Sequence, residues 1–498
     1  MTTMRRPLLW SCVLLLAAGG TPLSAQPAPT LRKAALLLPT TTSSASAREH
    51  FEIGQRLLDL GRPTQARPHF EQAVRADGDF ALAHLQLASA AESATEFKLH
   101  LDHAVQRAAR ASEPERLLIQ IAERGLRGDV EGQLQLAQQL TRVEPANPRT
   151  WLALAGVQQA LGREADARAT MGRAIQAAPS FAPAHLALAQ SFLAEPRDLA
   201  QAEQNARHAV EQEPNEPTPH DVLGDVHRMQ GKLQEARADY TRAAELDPGS
   251  GLALQQRGHV NCFLGNYDQA RADYDAAIRL GQANEPATYG VWRALVQVHA
   301  GKPDAGLAEL QQLVQAVDGM NLPDPDGTRI FALSELVLIA LHTGKHDVAE
   351  RAIAQRAALV RREAERIGTE EYRRMQEADV ALYEGRLALR KGDYATARAK
   401  AAEAMRLRAA EPNPRKHEGA HGLLAMTTLK QKNYAEALTH FADADPNNVY
   451  LAYHHAQALE GAGRASEAKA MYKKVASYAF NNAGIALVRT DAMQKAKM

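Results

Sequence analysis

Hydrophobic and polar positions along residues 217–250 (PTPHDVLGDVHRMQGKLQEARADYTRAAELDPGS) recur at helical spacing, in two short bursts. The first centres on Leu223 and Gly224 and breaks at Gly231; the second sets Ala236, Tyr240 and Ala243 on one stripe and ends at Pro248. No such pair can bury its apolar stripe alone, so the pattern predicts two helices and a turn that stack on a neighbour. The neighbour follows directly. Moving every marker on by 34 residues lands on Gly258, Gly265, Ala270, Tyr274 and Ala277.

This alternation of small, breaker and large apolar residues at a 34-residue period resembles the tetratricopeptide repeat. The resemblance implies an all-α, right-handed α-solenoid of stacked helix-turn-helix repeats, with a concave face lined mainly by first helices. Gly224 and Ala236 are expected to face each other where the helices of one unit cross, with Tyr240 and Tyr274 filling the space between units. Residues 47–80 form a good first repeat, with Gly54, Gly61, Ala66, Phe70 and Ala73 in the marked places. Residues 81–112 lack the breaker glycine, and residues 113–147 put Gln133 where a small residue belongs. Pro145, Pro179, Pro214 and Pro248 then punctuate successive units. After Gly281 the phase loosens, although Ala349, Ala397, Ala437 and Ala468 keep their place.

These features divide the chain into a secretory signal at 1–25, a flexible leader at 26–46, an N-terminal array at 47–317, a turn-forming joint at 318–328 and an irregular array at 329–498 ending in a capping helix. The signal reading rests on Arg5 and Arg6, an apolar run from Leu8 to Ala18 and a small-residue end at Ala25. That run is shorter than the roughly 20 apolar residues of a membrane span, and no later stretch approaches one. The expected mature protein is periplasmic or secreted. Residues 352–375, dense in Arg and Glu at helical spacing, predict lengthened helices with ion-paired faces.

Charge and cysteine content narrow the partners. Lys plus Arg and Asp plus Glu both number 58, which gives no basic footprint for nucleic acid. Only Cys12 and Cys262 occur, and Cys12 leaves with the signal, so stability must come from apolar burial, for which a chain that is 45% hydrophobic has ample material.

One chemical motif stands out: His417, Glu418 and His421 fit H-E-x-x-H, the zinc-peptidase arrangement, and a repeat-containing zinc metallopeptidase is the alternative function. Against it, His421 occupies the repeat position also held by His50, His84, His185 and His220, the motif opens a helix after Pro414, and no third ligand stands out. His259 and Cys262, one turn apart, form too small a set for a metal site, and Asp324-Pro325-Asp326-Gly327 lacks the spacing of a calcium loop. No catalytic residue, metal ligand or cofactor is nominated.

What remains is the concave strip. The family's usual ligand is a peptide held by first-helix side chains one turn apart. Here those places carry Asp221, Asp225 and Arg228, then Gln255, His259 and Cys262, then Val291, Leu295 and Val298 beside Trp292. The Lys and Asn pattern by which some relatives clamp a C-terminal carboxylate is absent from them. The expected function is a non-enzymatic, exported scaffold whose groove, at Asp221, Asp225, Arg228, Gln255, His259 and Trp292, takes a protein or peptide segment of basic and apolar character.

Overall fold

A computed structural model describes residues 37–497, Glu92 apart. The signal segment and Cys12 lie outside the described residues. Among those residues there are twenty-five α-helices, α1 (Ala45–Asp59) to α25 (Ala483–Lys497) in chain order, and no strand. They fall into twelve consecutive pairs with α25 left over, each helix packing on the next.

The best-formed unit pairs α11 (Pro217–Met229) with α12 (Leu233–Leu246). A Cβ built on Gly224 would come 2.7 Å from the Tyr240 ring. Tyr240 therefore fills a notch inside its own pair and not only the gap between pairs, although it also packs on Val260 of the next unit. Gly258 and Tyr274 repeat this fit in α13 (Leu252–Leu264) and α14 (Tyr267–Leu280).

Between the helices of a pair the backbone turns through the left-handed region, at φ 76° for Gly231 and 79° for Gly265, where a side chain is strained. Lys432 occupies that place, at φ 60°, between α21 (Glu418–Lys430) and α22 (Tyr434–Ala442). Lys432→Gly is expected to stabilise the protein by about 0.5–1 kcal/mol, strain relief outweighing the added freedom of the unfolded chain. Thermal unfolding checks this; a lowered Tm would count against strain at this turn.

Three stretches differ from the sequence reading or refine it. The end of the leader is held rather than free: Leu38 is buried, Thr41 N donates to Glu115 Oε1 at 3.1 Å and Thr42 donates to Asp77 at 2.5 Å. Around 318–328, a 3-10 turn (Val317–Met320) and four further residues precede α17 (Pro325–His342), whose N-cap Asp324 accepts from Gly327 N at 2.9 Å. Asp326 is held by Arg362 and Arg366 at 2.7 and 3.1 Å, so the acidic turn is a helix start. One apolar cluster, from Cys262 to Leu359, runs across it. The Arg- and Glu-rich stretch does form long helices, α18 (His346–Ile367) and α19 (Glu370–Lys391), paired through Arg361 and Glu377.

Each pair is slightly rotated on the last, and the stack winds round on itself. In the second pair, α4 (Ala94–Arg107) packs on α18 of the ninth, and Ala364, Ile367 and Tyr372 join the apolar cluster of the first repeats. The last helix covers α24 (Ala465–Ala476), as a cap does, and it also packs on α23 (Val449–Gly461), α17 and α15 (Glu285–His299). A single core cluster consequently joins Ala182 through Phe263 to Ala378 through Ala492.

Candidate functional site

The first helices α11, α13 and α15 carry the strip singled out from the sequence. One-turn spacing brings Asp221, Asp225 and Arg228 together on α11 and Gln255 and His259 together on α13. The Asp225 carboxylate accepts from the Arg228 guanidinium and, at 2.7 Å, from the Tyr240 hydroxyl. Gln255 lies 2.9 Å from His259 Nε2, and the Trp292 ring stands edge-on to His259 at 5.3 Å.

The strip does not face open solvent. Asp221, Asp225, His259 and Trp292 are buried, Gln255 is half-buried and Arg228 is 0% exposed. Over Arg228 and His259 the cover is the chain's own segment 478–482, which links α24 to α25. The Phe480 ring lies 4.7 Å from the Arg228 guanidinium carbon, which is also 5.7 Å from the Tyr240 ring. Asn481 Nδ2 donates to His259 Nδ1 at 3.1 Å and the Tyr274 hydroxyl at 3.2 Å; its Oδ1 accepts from His299 Nε2 at 2.8 Å. Arg197 stacks on Tyr478, and Arg489 of α25 stacks on Phe263. At the start of α25, Ala483 N donates to Glu335 Oε2 on α17 at 2.8 Å.

Burial dominates the electrostatics. Asp221 is pushed well above the usual carboxylate range by burial and then by Asp225, with Arg228 opposing, and its Oδ1 has no hydrogen-bond partner. Asp225 is also raised by burial, against the pull of Arg228 and Tyr240. Glu335 is raised to about 7 by burial, partly offset by the Ala483 hydrogen bond. His259 is held well below its ordinary value by burial and by Arg228, and stays neutral. The Cys262 thiol, pushed up to about 12 by burial, is no nucleophile at neutral pH.

The peptidase motif does not assemble into a zinc site. His417 is the N-cap residue of α21, Glu418 is held by Arg415 at 2.6 Å, and His421 Nδ1 lies 3.2 Å from His440 Nδ1. Residues 478–482 carry no repeat marker that assigns them to the strip. Their one visible signal was a cluster of Tyr478, Phe480, Asn481 and Asn482 at the end of the last repeat, aromatic and amide groups that a solvated linker does not need.

Paired helices, left-handed breaker turns and a strip of first-helix side chains define an α-solenoid of helix-turn-helix repeats. Residues 217–250, and residues 51–115 and 263–321, match family models described as tetratricopeptide repeat. Over these residues the chain carries tetratricopeptide repeats. No curated protein matches it. Among solved structures it is similar to a thermophilic TPR protein of Thermus thermophilus, at 21% identity over 37% of this chain and 98% of that one, with a TM-score of 0.32. It is also similar to a tetratricopeptide repeat protein from Parabacteroides merdae, at 18% identity over 59% and 98%, TM-score 0.33. A further similarity is to yeast Tom70, at 12% identity over 91% and 95%, TM-score 0.38. Stacked repeats of this kind serve as scaffolds for protein–protein interaction.

Proposed function

We propose that this chain is a non-enzymatic scaffold of the cell envelope that holds an extended segment of a protein partner along the strip of α11, α13 and α15, with residues 478–482 occupying that strip until the partner replaces them. The occupied strip carries the reading. Arg228 offers a flat cation that an aromatic ring covers, and His259, Tyr274 and His299 offer a donor and acceptor set that one carboxamide completes. The partner segment accordingly carries an aromatic residue followed by Asn or Gln, rather than the basic character that exposed Asp221 and Asp225 would have favoured. Envelope location rests on the basic, apolar and small-residue order of residues 1–25, and intact mass of the exported protein tests it by a start at Gln26.

The binding test uses a labelled peptide of sequence Ser-Tyr-Ala-Phe-Asn-Asn, matching residues 477–482. In the full chain the tethered copy competes at high effective concentration and the peptide binds weakly. Phe480→Ala combined with Asn481→Ala weakens the tethered copy, and peptide affinity is expected to rise by about 10-fold or more. Equal, weak binding by wild type and variant, with the variant folded, would show that the segment is structural filling and that partners use another face.

A further inference from the structure

The repeat-position histidines have partners that the linear sequence does not display. His50, His84 and His421 each meet a histidine on the second helix of the same pair, at 69, 103 and 440, in every case 19 positions later. The Nδ1 atoms of His50 and His69 are 3.4 Å apart, and the His84 and His103 rings stand edge to face at 5.3 Å. In the second repeat a third imidazole joins. His84 lies on α3 (Ala81–Ser89), while His100 and His103 lie one turn apart on α4, and one ring nitrogen from each of the three falls within 4.8 Å of the others.

The hydrogen bonding of these rings leaves lone pairs facing no donor. His84 is 4% exposed, and its Nε2 lies 3.2 Å from the Gly78 carbonyl. A carbonyl can only accept, so Nε2 carries the proton and Nδ1 presents a bare lone pair, buried with no hydrogen-bond partner. His100 repeats the arrangement: Nε2 is turned toward Glu96 Oε1 at 3.7 Å, and Nδ1 is buried without a partner. Metal-ligating histidines are oriented in this way, one nitrogen toward an oxygen acceptor and the other toward the ion. Burial, with Arg107, His103 and His100 acting in the same direction and the Gly78 hydrogen bond against them, holds His84 down at about 4, so that ring is neutral at neutral pH.

We propose that His84, His100 and His103 together bind one zinc ion through three imidazole nitrogens. A nitrogen-only set of three leaves the fourth tetrahedral position to water. Zn–N bonds of about 2.0–2.1 Å require the nitrogens to approach to about 3.4 Å, which rotation of the half-buried His100 and His103 side chains supplies. The ion would staple α3 to α4 in a pair whose turn lacks a breaker glycine. The site is independent of the concave strip and of the His417 motif.

The test uses the full chain without an affinity tag, stripped with a chelator, dialysed and titrated with zinc chloride alone by calorimetry, with thermal unfolding followed in parallel. One equivalent is expected to bind, with Tm rising as zinc is added. His100→Gln and His103→Gln should each weaken binding by about 10-fold or more and shrink the Tm rise. Their metal-free Tm should stay near that of the wild type, because neither side chain is fully buried. His421→Gln with His440→Gln serves as the control and keeps the equivalent. Absence of saturable binding, binding undiminished in both α4 variants, or loss of the equivalent in the control pair would each overturn the assignment.

Discussion

Arg228→Met is expected to destabilise the protein by about 3–5 kcal/mol at neutral pH, the range found when one partner of a buried ion pair is removed. The guanidinium is wholly buried, donates to Asp225 and lies between the rings of Tyr240 and Phe480. Methionine has comparable length, so the loss comes chiefly from Asp221 and Asp225, which keep their burial and lose the opposing charge. Both are already raised by burial, and removing Arg228 raises them further. A carboxyl whose folded pKa exceeds its unfolded value holds its proton more tightly in the native state, so stability falls as pH rises from the unfolded value toward the folded one. The deficit of the variant should therefore be smaller at pH 5 than at pH 8 in urea unfolding. Adding Asp221→Asn and Asp225→Asn should recover most of it, since an Asn at 225 still accepts from Tyr240. An equal deficit at both pH values with no recovery in the triple variant would refute the electrostatic account.

Glu335→Gln is expected to act in the opposite direction. Glu335 is raised from 4.5 to about 7, so between those values the native state binds more protons than the unfolded chain, and stability falls with rising pH before levelling off above about 7. The shift corresponds to about 3 kcal/mol. A glutamine carbonyl can still accept from Ala483 N, while its buried amide costs about 1–3 kcal/mol where it finds no acceptor. The net gain at pH 8 is accordingly about 0–2 kcal/mol, nearest the upper end if the amide finds an acceptor, with a flatter profile between pH 5 and 7. Hydrogen exchange localises the effect: protection at the start of α25 should increase at pH 8 in the variant. An unchanged slope of Tm against pH would show that Glu335 is not the titrating group that holds α25.

Period and composition alone determined the helix-pair solenoid, because the information is local. A small residue at Gly224, a left-handed break at Gly231 and an aromatic at Tyr240 specify one pair, and repetition at 34 residues specifies its stacking. The strip residues were legible for the same reason, since one-turn spacing places Asp221 beside Asp225 in any α-helix. The long helices α18 and α19 also followed from spacing, through their Arg and Glu pairs.

What covers the strip depended on the winding of the whole stack. The rotation between pairs is small, and only its accumulation over many units decides whether the groove stays open or meets the chain's own end. That accumulation brought Asn481 to His259, 222 residues away, and Glu335 to Ala483, 148 residues away. The histidine trio has the same origin on a smaller scale: the recurrence of His84 at a repeat position was visible, but its meeting with His100 and His103 follows from how α3 lies on α4. Local sequence sets which residues share a face of one helix; contacts between faces depend on angles that no single repeat encodes, and those angles turned a predicted solvent-facing groove into an interior.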